Sequence, residues 1–277
     1  MQHEAIDGIV VRVRDYNGKD RYLSVLTAEQ GRITLLSKGS KSLSSGQAAV
    51  SQLYTYGNFE FYRRGDFKIL KGGTPHHSFY ALSADIDRLD LAAYFCELTV
   101  EVTDEGEPAE EMMRLLLNSL YAVSRDLRPQ EIVKGAFEIR VATMSGYAPD
   151  LSGCSCCGSD TAEELYLDVM NGALLCADCL HKRSKPKQPI SGAYDEIREA
   201  ELLCPLTPAI LAAMRYVSYA PVERIFSFDL KDHEDLLSFA KTAESYLLSH
   251  LGRGFDSLNF YHSMRAGKLL PPDKQLK

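Results

Sequence analysis

The chain has 277 residues, of which 45% are hydrophobic and 25% are charged, and its net charge is −7 at neutral pH. This length is sufficient for a buried core and for two domains. The sequence has no apolar run of about eighteen residues, which excludes a membrane-spanning helix. Glu4 and Asp7 interrupt its start, so we expect no secretory signal and a cytoplasmic, reducing location.

Charge is distributed unevenly along the chain. Residues 1–75 have eleven basic against seven acidic side chains, a net charge of +4, whereas residues 76–150 have six against fourteen, a net charge of −8. This pattern is expected if one basic module meets phosphates. A segment charge of +4 is equally compatible with ordinary surface variation.

The first part of the chain is predicted to consist of β-strands, because short alternating runs are separated by turn signals. The predicted strands are residues 6–14, 22–26, 32–37, 53–62 and 67–70. Five short antiparallel strands can close into a small barrel. Among small barrels, the OB-fold commonly holds single-stranded nucleic acid on its sheet face and loops.

Basic residues of this barrel are candidates for phosphate contact. The serine- and glycine-rich loop over residues 37–46 carries Lys38 and Lys41, and a turn after the fourth strand carries Arg63 and Arg64. Lysines and backbone N–H groups in such a loop can follow a phosphate backbone. The aromatic residues nearby resemble a stacking platform, but the period-two pattern favours a core position for those at 59 and 61.

Helical periodicity begins near residue 83, which predicts a mostly α-helical second half. Ser83 is a candidate cap for the first helix, and Pro129 starts the third, which Gly146 can end. Thr207 and Asp232 are candidate caps of two later helices. After the first helix, which starts near residue 83, further helices are predicted over residues 110–124, 129–146, 195–203, 207–219 and 232–251.

Four cysteines carry the strongest chemical signal in the sequence. Cys154 and Cys157 form one Cys-x2-Cys pair, and Cys176 and Cys179 form a second pair after eighteen intervening residues. This spacing is typical of two knuckles that close on one tetrahedral Zn²⁺. Four sulfur ligands leave no position for water or substrate, so the predicted ion is structural.

Disulfides, a redox dithiol and unligated core thiols are the alternatives for these cysteines. A reducing compartment disfavours disulfides, and no βαβ pattern surrounds Cys154 as a redox motif would require. Cys156 lies between two proposed ligands and makes the register of the first knuckle ambiguous. The segment 181–189, with Lys182 and Arg183, is predicted to be either a solvated linker or a phosphate-contacting arm.

The predicted fold class is therefore α+β, with an OB-fold barrel followed by an all-α domain that a four-cysteine zinc insert interrupts. The predicted domains are the barrel over residues 1–80, helices over 81–150, a zinc module over 151–185, and helices over 186–277.

This order of parts resembles the RecO family of bacterial recombination mediators. The resemblance covers essentially the whole chain and rests on the order and spacing of several motifs. They are GIVV at 8–11, LTAEQG at 26–31, KGSKS at 38–42, YRRGD at 62–66, the knuckles at 154–158 and 172–179, and HLGR at 250–253 with DSL at 256–258. Related proteins often have several arginines where this chain has the residues 39–42, which is a departure from the family pattern.

The resemblance implies a non-enzymatic, nucleoid-associated protein of the RecF pathway. Such a protein binds single- and double-stranded DNA, anneals complementary strands, and with RecR helps load RecA onto DNA coated by single-strand binding protein (SSB). Some members lack the cysteines, so zinc would support the fold. The helical domain would receive the acidic SSB tail, with Arg125, Arg128, Arg140 and Arg215 as candidate carboxylate partners.

Three classes of function remain in view from the sequence. A DNA-binding mediator needs phosphate charge to be neutralised and requires no nucleophile. A zinc-containing nucleic-acid-processing enzyme needs an open metal site or an acid–base pair, and the sequence shows none. The His76–His77 pair could suggest general-base or metal chemistry, but it is predicted to be simply exposed in a loop after a strand. A protein-binding adaptor without DNA contact is the third class.

Overall fold

A computed structural model describes residues 3–42, 45–161, 164–184 and 202–269. Its elements follow in chain order. They are β1 (His3–Tyr16), β2 (Asp20–Thr27), β3 (Gly31–Ser37), β4 (Thr55–Arg64), β5 (Phe67–Ser78), α1 (Ile86–Val102), α2 (Glu110–Ser124), α3 (Gln130–Met144), β6 (Asp150–Cys154), β7 (Leu165–Asp168), β8 (Ala173–Cys176), α4 (Ala177–Ser184), β9 (Leu203–Leu206), α5 (Pro208–Tyr219), α6 (His233–Leu251) and α7 (Asp256–Leu269).

The first five strands form a closed barrel in the order β1-β2-β3-β5-β4, which confirms the predicted five-stranded barrel. β3 and β5 pair in parallel, and the other pairs are antiparallel. Alternating residues fill the interior. The interior contains Ile6, Val10, Leu23, Val25, Ile33, Leu35, Val50, Phe59, Phe61 and Leu70. The prediction that Phe59 and Phe61 are core residues is confirmed, since neither is exposed.

β5 is longer than the sequence predicts. It continues from Phe67 to Ser78 because it stays paired with β4 as far as the Thr55–Ser78 pair. The register of this pairing shifts twice, between Tyr56 and Gly57 and between Glu60 and Phe61. The prediction that His76 and His77 lie in a loop is therefore wrong, although both are exposed on the strand.

By its packing the chain divides into two compact units, residues 1–128 with 254–277 and residues 129–253. The first unit contains the barrel, α1, α2 and α7. In this unit α7, which was not predicted from the sequence, packs on α1. The Glu97 carboxylate accepts a hydrogen bond of 3.0 Å from the backbone N–H of Ser257 near the start of α7.

The cap of α1 differs from the sequence prediction. The Asp85 carboxylate accepts hydrogen bonds from the backbone N–H groups of Asp87 and Arg88, at 2.9 and 3.2 Å. Ser83 lies within a short 3-10 turn, where its hydroxyl donates to the carbonyl of Tyr80. Asp85 therefore satisfies the first N–H groups of α1, and the prediction of Ser83 as the cap is wrong. α2 has the predicted bounds.

The second unit is built around α3, which packs mainly against α6 and also against α5. The predicted caps Thr207 and Asp232 are confirmed, because their side chains accept hydrogen bonds from the first turns of α5 and α6. Gly135 of α3 allows close approach, since a Cβ there would lie 2.5 Å from the Phe239 ring. The buried Lys134 ammonium lies between α3 and α6 and contacts two carboxylates.

A four-stranded sheet in the order β6-β8-β7-β9 completes the second unit. Its edge strand β9 begins at Leu203, the last residue of the predicted helix over 195–203, so that helix end is wrong. Residues 195–201 of the predicted helix lie outside the described residues, as do Lys185 and Lys187 of the predicted linker. Among the described helices, none has the length and apolar character needed to cross a membrane.

Candidate functional site

Four cysteine side chains converge in the second unit. The Sγ atoms of Cys154, Cys157, Cys176 and Cys179 all lie within 4.8 Å of one another, and those of Cys157 and Cys176 are 3.7 Å apart. Sulfur ligands at the usual distance from a tetrahedral Zn²⁺ would be about 3.8 Å apart. The number, chemistry and spacing of these thiols therefore fit a bound metal ion.

The first knuckle follows directly from the end of β6. Cys154 is the last residue of this strand, and the chain then turns back so that the Gly158 N–H donates to the Cys154 carbonyl at 2.7 Å. Gly158 has a φ of +74°, a conformation that a residue with a Cβ adopts at a cost. The turn places Cys157 beside Cys154, and the intervening Cys156 is exposed and outside the cluster. The thiol that joins Cys154 in the cluster is therefore that of Cys157 and not that of Cys156.

The second knuckle joins a strand to a helix. β7 and β8 form an antiparallel hairpin whose turn contains Gly172, with a φ of +62°. Cys176 ends β8, and Cys179 lies in the first turn of α4. The backbone N–H of Cys176 donates to the Cys154 sulfur at 3.4 Å, which joins the two knuckles.

The backbone also stabilises negative charge in this cluster. Burial by itself raises the pKa of the Cys154 thiol, but the N–H groups of Cys176, Cys156 and Cys157 stabilise its thiolate and lower the pKa to about 6. Hydrogen bonds with Cys176 and Cys157 raise the pKa of the Cys179 thiol to about 12. Backbone N–H donors thus favour a thiolate where a metal ligand is expected.

Two arginines that the sequence assigned to tail binding make structural contacts in the second unit. The Arg215 guanidinium donates to the carbonyls of Leu151 and Ser152, at 2.8 and 3.2 Å, and so holds β6 against α5. Arg140 is buried and donates to the carbonyls of Ser218, at 2.9 Å, and of Ala220. These bonds satisfy the carbonyl groups near the end of α5.

The other two tail-binding candidates lie in the first unit, near the end of α2. Arg125 is exposed, and its guanidinium carbon lies 6.0 Å from the centre of the Tyr121 ring. Arg128 is half-buried. The four arginines are therefore divided between the two units, with Arg140 and Arg215 in the second.

The predicted phosphate-binding residues of the barrel differ in their ionic partners. Lys41 forms an ion pair of 2.9 Å with Asp15, and Arg63 forms one of 2.8 Å with Glu4. The hydrogen bond from Arg63 lowers the pKa of the Glu4 carboxyl. Among the residues that the structure describes, Lys38 and Arg64 have no ion-pair partner, and both are exposed.

The remaining predicted basic residues, Lys182 and Arg183, lie on the last turn of α4 and are exposed. The helix that begins after Cys176 continues to Ser184, so this first part of the predicted linker is helical. Lys182 and Arg183 are therefore held on the helix that carries Cys179.

Two further basic residues, which were not predicted as phosphate contacts, lie on the first hairpin. Arg12 and Arg14 are exposed on β1, on either side of the partly buried Val13. Their alternation with apolar residues is the signal that could have identified an outward-facing basic row.

Comparisons with known proteins cover nearly the whole chain. The sequence profile described as Recombination protein O N terminal matches residues 1–79, and the profile described as Recombination protein O C terminal matches residues 83–259. The DNA repair protein RecO of Acetivibrio thermocellus is 27% identical over 265 residues, which cover 95% of this chain and 98% of the relative. The proteins of the same name from Shouchella clausii and Alkaliphilus metalliredigens are each 30% identical, over 176 and 173 residues. These matches cover 64% and 62% of this chain, and 68% and 70% of the relatives.

Proposed function

Because this chain belongs to the RecO family of DNA repair proteins, we propose that it is a recombination mediator of the RecF pathway. It binds single- and double-stranded DNA, anneals complementary strands, and together with RecR helps load RecA onto DNA coated by SSB. The observation that carries this proposal is the closed OB-like barrel, matched by the family's N-terminal profile, with exposed Lys38 and Arg64 on its surface.

The proposed mechanism is electrostatic and needs no catalytic group. Two complementary strands repel each other through their phosphates, and cationic side chains that neutralise this charge allow the strands to approach. Lys38, Arg64, Lys182 and Arg183 are exposed positions from which such contacts can be made. Lys41 and Arg63 can contribute if phosphates compete with Asp15 and Glu4. The protein would act at the nucleoid.

A direct test measures binding of the full chain to labelled oligonucleotides as a function of salt, followed by a strand-annealing assay. Affinity for single strands should fall as salt rises, with a log–log slope of about −0.7 for each phosphate contacted. The variant with Lys38, Lys41, Arg63 and Arg64 all changed to Ala should bind and anneal less well. If it binds DNA normally while still capturing RecR, these residues are not the DNA contacts. A wild-type protein that captures RecR but does not bind DNA would be an adaptor.

Incubation with oligonucleotides also tests whether the protein has enzymatic activity on DNA. Oligonucleotides incubated with the protein and divalent metal ions should be recovered chemically unchanged. Cleaved or extended products that persist in an independently purified preparation would contradict the proposed non-enzymatic role.

We further propose that the acidic tail of SSB binds one of the arginine positions identified from the sequence. Arg125 is exposed beside Tyr121, so it offers a charge and an aromatic surface to an acidic, apolar tail. Arg128 and Arg215 are secondary candidates, and the buried contacts of Arg140 give that residue a structural role. Capture of SSB with and without its last residues tests tail dependence. Arg125→Ala compared with Arg114→Ala, on the helix that ends just before Arg125, tests the position.

For the four-cysteine cluster we propose one structural Zn²⁺ ion per chain. Thiolate ligands suit Zn²⁺, and four of them close the coordination shell. Elemental analysis of freshly purified protein should find zinc at one equivalent. Cys176→Ser should lose the metal and misfold, whereas Cys156→Ser, outside the cluster, should retain both metal and fold. Equal metal content in the two variants would refute the assignment of Cys176 as a ligand.

A further inference from the structure

The outer face of the β1–β2 hairpin presents a set of side chains that neither the barrel core nor the predicted sites use. A register shift between Val10 and Arg12 changes which side chains of β1 face outward. Beyond this shift Val13 packs against the core. Arg12, Arg14 and Tyr16 therefore share the outer face, because side chains alternate along a strand.

Two tyrosines lie together on this face. Arg14 is opposite Tyr22 on β2, and Tyr16 is opposite Asp20, so the two tyrosines are diagonal neighbours. Their ring centroids are 4.7 Å apart, with an angle of 53° between the ring planes. Tyr16 is 45% exposed and Tyr22 is half-buried. The pair therefore offers aromatic surface to solvent where core packing does not require it.

Exposed cations lie on the same hairpin as the tyrosine pair and in the loop beside its turn. Arg12 and Arg14 share its face, and Lys19 lies in the turn that joins β1 to β2. The loop after β3 is held against this turn, because the Gly39 N–H donates to Asp20 at 2.8 Å and the Lys41 N–H donates to the Lys19 carbonyl at 3.2 Å. These bonds bring Lys38 to the same end of the barrel.

The neighbouring acidic side chains already have partners. Asp15 pairs with Arg21 at 3.4 Å and with Lys41 at 2.9 Å, and Asp20 accepts the bond from Gly39. Within the described ranges no ion-pair partner is found for any of the four exposed cations, which are Arg12, Arg14, Lys19 and Lys38. The surface is therefore cationic as well as aromatic, a combination suited to unpaired nucleotides.

We propose that these six residues form the site that distinguishes single-stranded from double-stranded DNA, with bases stacked on Tyr16 and Tyr22 and phosphates bound by the four cations. The inference rests on the proposed DNA-binding function and adds to it a location and a strand preference. Base faces in a duplex are covered by their neighbours, so the rings can contact only unpaired bases. The cations can reach phosphates in either form of DNA.

The test compares binding of the full chain to a thymidine oligonucleotide and to a duplex, both followed by fluorescence anisotropy. Tyr16→Ala with Tyr22→Ala should lower single-strand affinity about tenfold or more and leave duplex affinity unchanged. Tyr16→Phe with Tyr22→Phe should keep the wild-type preference, because the rings remain. An oligonucleotide with 2-aminopurine should show stacking with the wild type and the phenylalanine variant only.

The arginines are tested by charge removal at matched positions. Arg12→Ala with Arg14→Ala should weaken the complexes with single-stranded and with duplex DNA. The log–log salt slope for single strands should become shallower by about 1.4, the amount expected for the loss of two phosphate contacts. Lys231→Ala with Lys241→Ala removes the same charge from exposed positions of the second unit and should change neither. Circular dichroism checks that each variant is folded, and Tyr16→Ala alone serves if the half-buried Tyr22 is needed for stability.

Three outcomes would overturn the inference. The stacking role fails if the folded variant with both tyrosines changed to alanine binds single strands as tightly as the wild type does. It also fails if the affinities of this variant for single strands and for duplex fall by the same factor. The phosphate role fails if the Lys231 and Lys241 changes weaken binding as much as the Arg12 and Arg14 changes do. A wild-type protein that binds neither DNA form would instead refute the proposed function itself.

Discussion

Replacing Lys134 by methionine is expected to destabilise the second unit by about 3–5 kcal/mol. The Lys134 side chain is 3% exposed, and its ammonium group contacts the carboxylates of Glu138 and Glu244, at 2.8 and 2.6 Å. Glu138 is fully buried, whereas the side chain of Glu244 is 21% exposed. Methionine has a similar length but no charge, so the variant removes the Lys134 ammonium from the buried Glu138 carboxylate.

The magnitude follows from the position of this charge. Removing one partner of a buried ion pair costs more than the pair itself contributes, because the remaining ion has lost its water as well as its partner. A typical domain is stable by about 5–15 kcal/mol, so the loss would be a large part of the total. Lys241, exposed on α6, is the matched control, and Lys241→Met should change the stability by no more than about 0.5 kcal/mol.

Urea unfolding followed by far-ultraviolet circular dichroism measures these differences. A second change, Glu138→Leu in the Lys134→Met background, should recover much of the loss because it replaces the buried pair by apolar side chains. The reasoning is refuted if the free energy of unfolding of Lys134→Met lies within about 1 kcal/mol of the wild-type value, as for a typical surface change. It is also refuted if the double variant is less stable than the single one.

Three further predictions concern pH, helix capping and packing. Burial alone would lower the pKa of Lys134, but the carboxylates of Glu138 and Glu244 raise it above its ordinary value. The contribution of Lys134 to stability is therefore present below the unfolded-state pKa of about 10.4 and is lost as the pH rises through the folded-state pKa. Unfolding free energy should therefore fall above that pH more steeply in the wild type than in Lys134→Met, and parallel curves would contradict this. Asp85→Ala should lower the melting temperature through a loss of about 1 kcal/mol, whereas Ser83→Ala should have little effect; equal shifts would argue against Asp85 as the cap. Gly135→Ala should cost about 1–3 kcal/mol in urea unfolding because its Cβ would meet the Phe239 ring, and an unchanged midpoint would show that the ring moves freely.

The sequence by itself determined the features that depend on near neighbours. α2 has the predicted bounds, and the caps Thr207 and Asp232 are as predicted, because capping joins a side chain to backbone groups two or three residues away. Alternation along one strand was sufficient to place Phe59 and Phe61 in the barrel core. The pairing of cysteines within each knuckle was also predictable, since each Cys-x2-Cys turn brings its own two sulfurs together.

Only the tertiary structure decided which distant groups meet. The partner of Arg63 is Glu4, on the neighbouring strand β1, and no local pattern indicates this ion pair. The full length of β5 depends on its pairing with β4, which outweighs a local sequence that favours a loop. The Tyr16–Tyr22 pair likewise depends on the register of β1 against β2. Such contacts follow from the closure of the barrel, because strand pairing fixes neighbours that spacing along the chain leaves open.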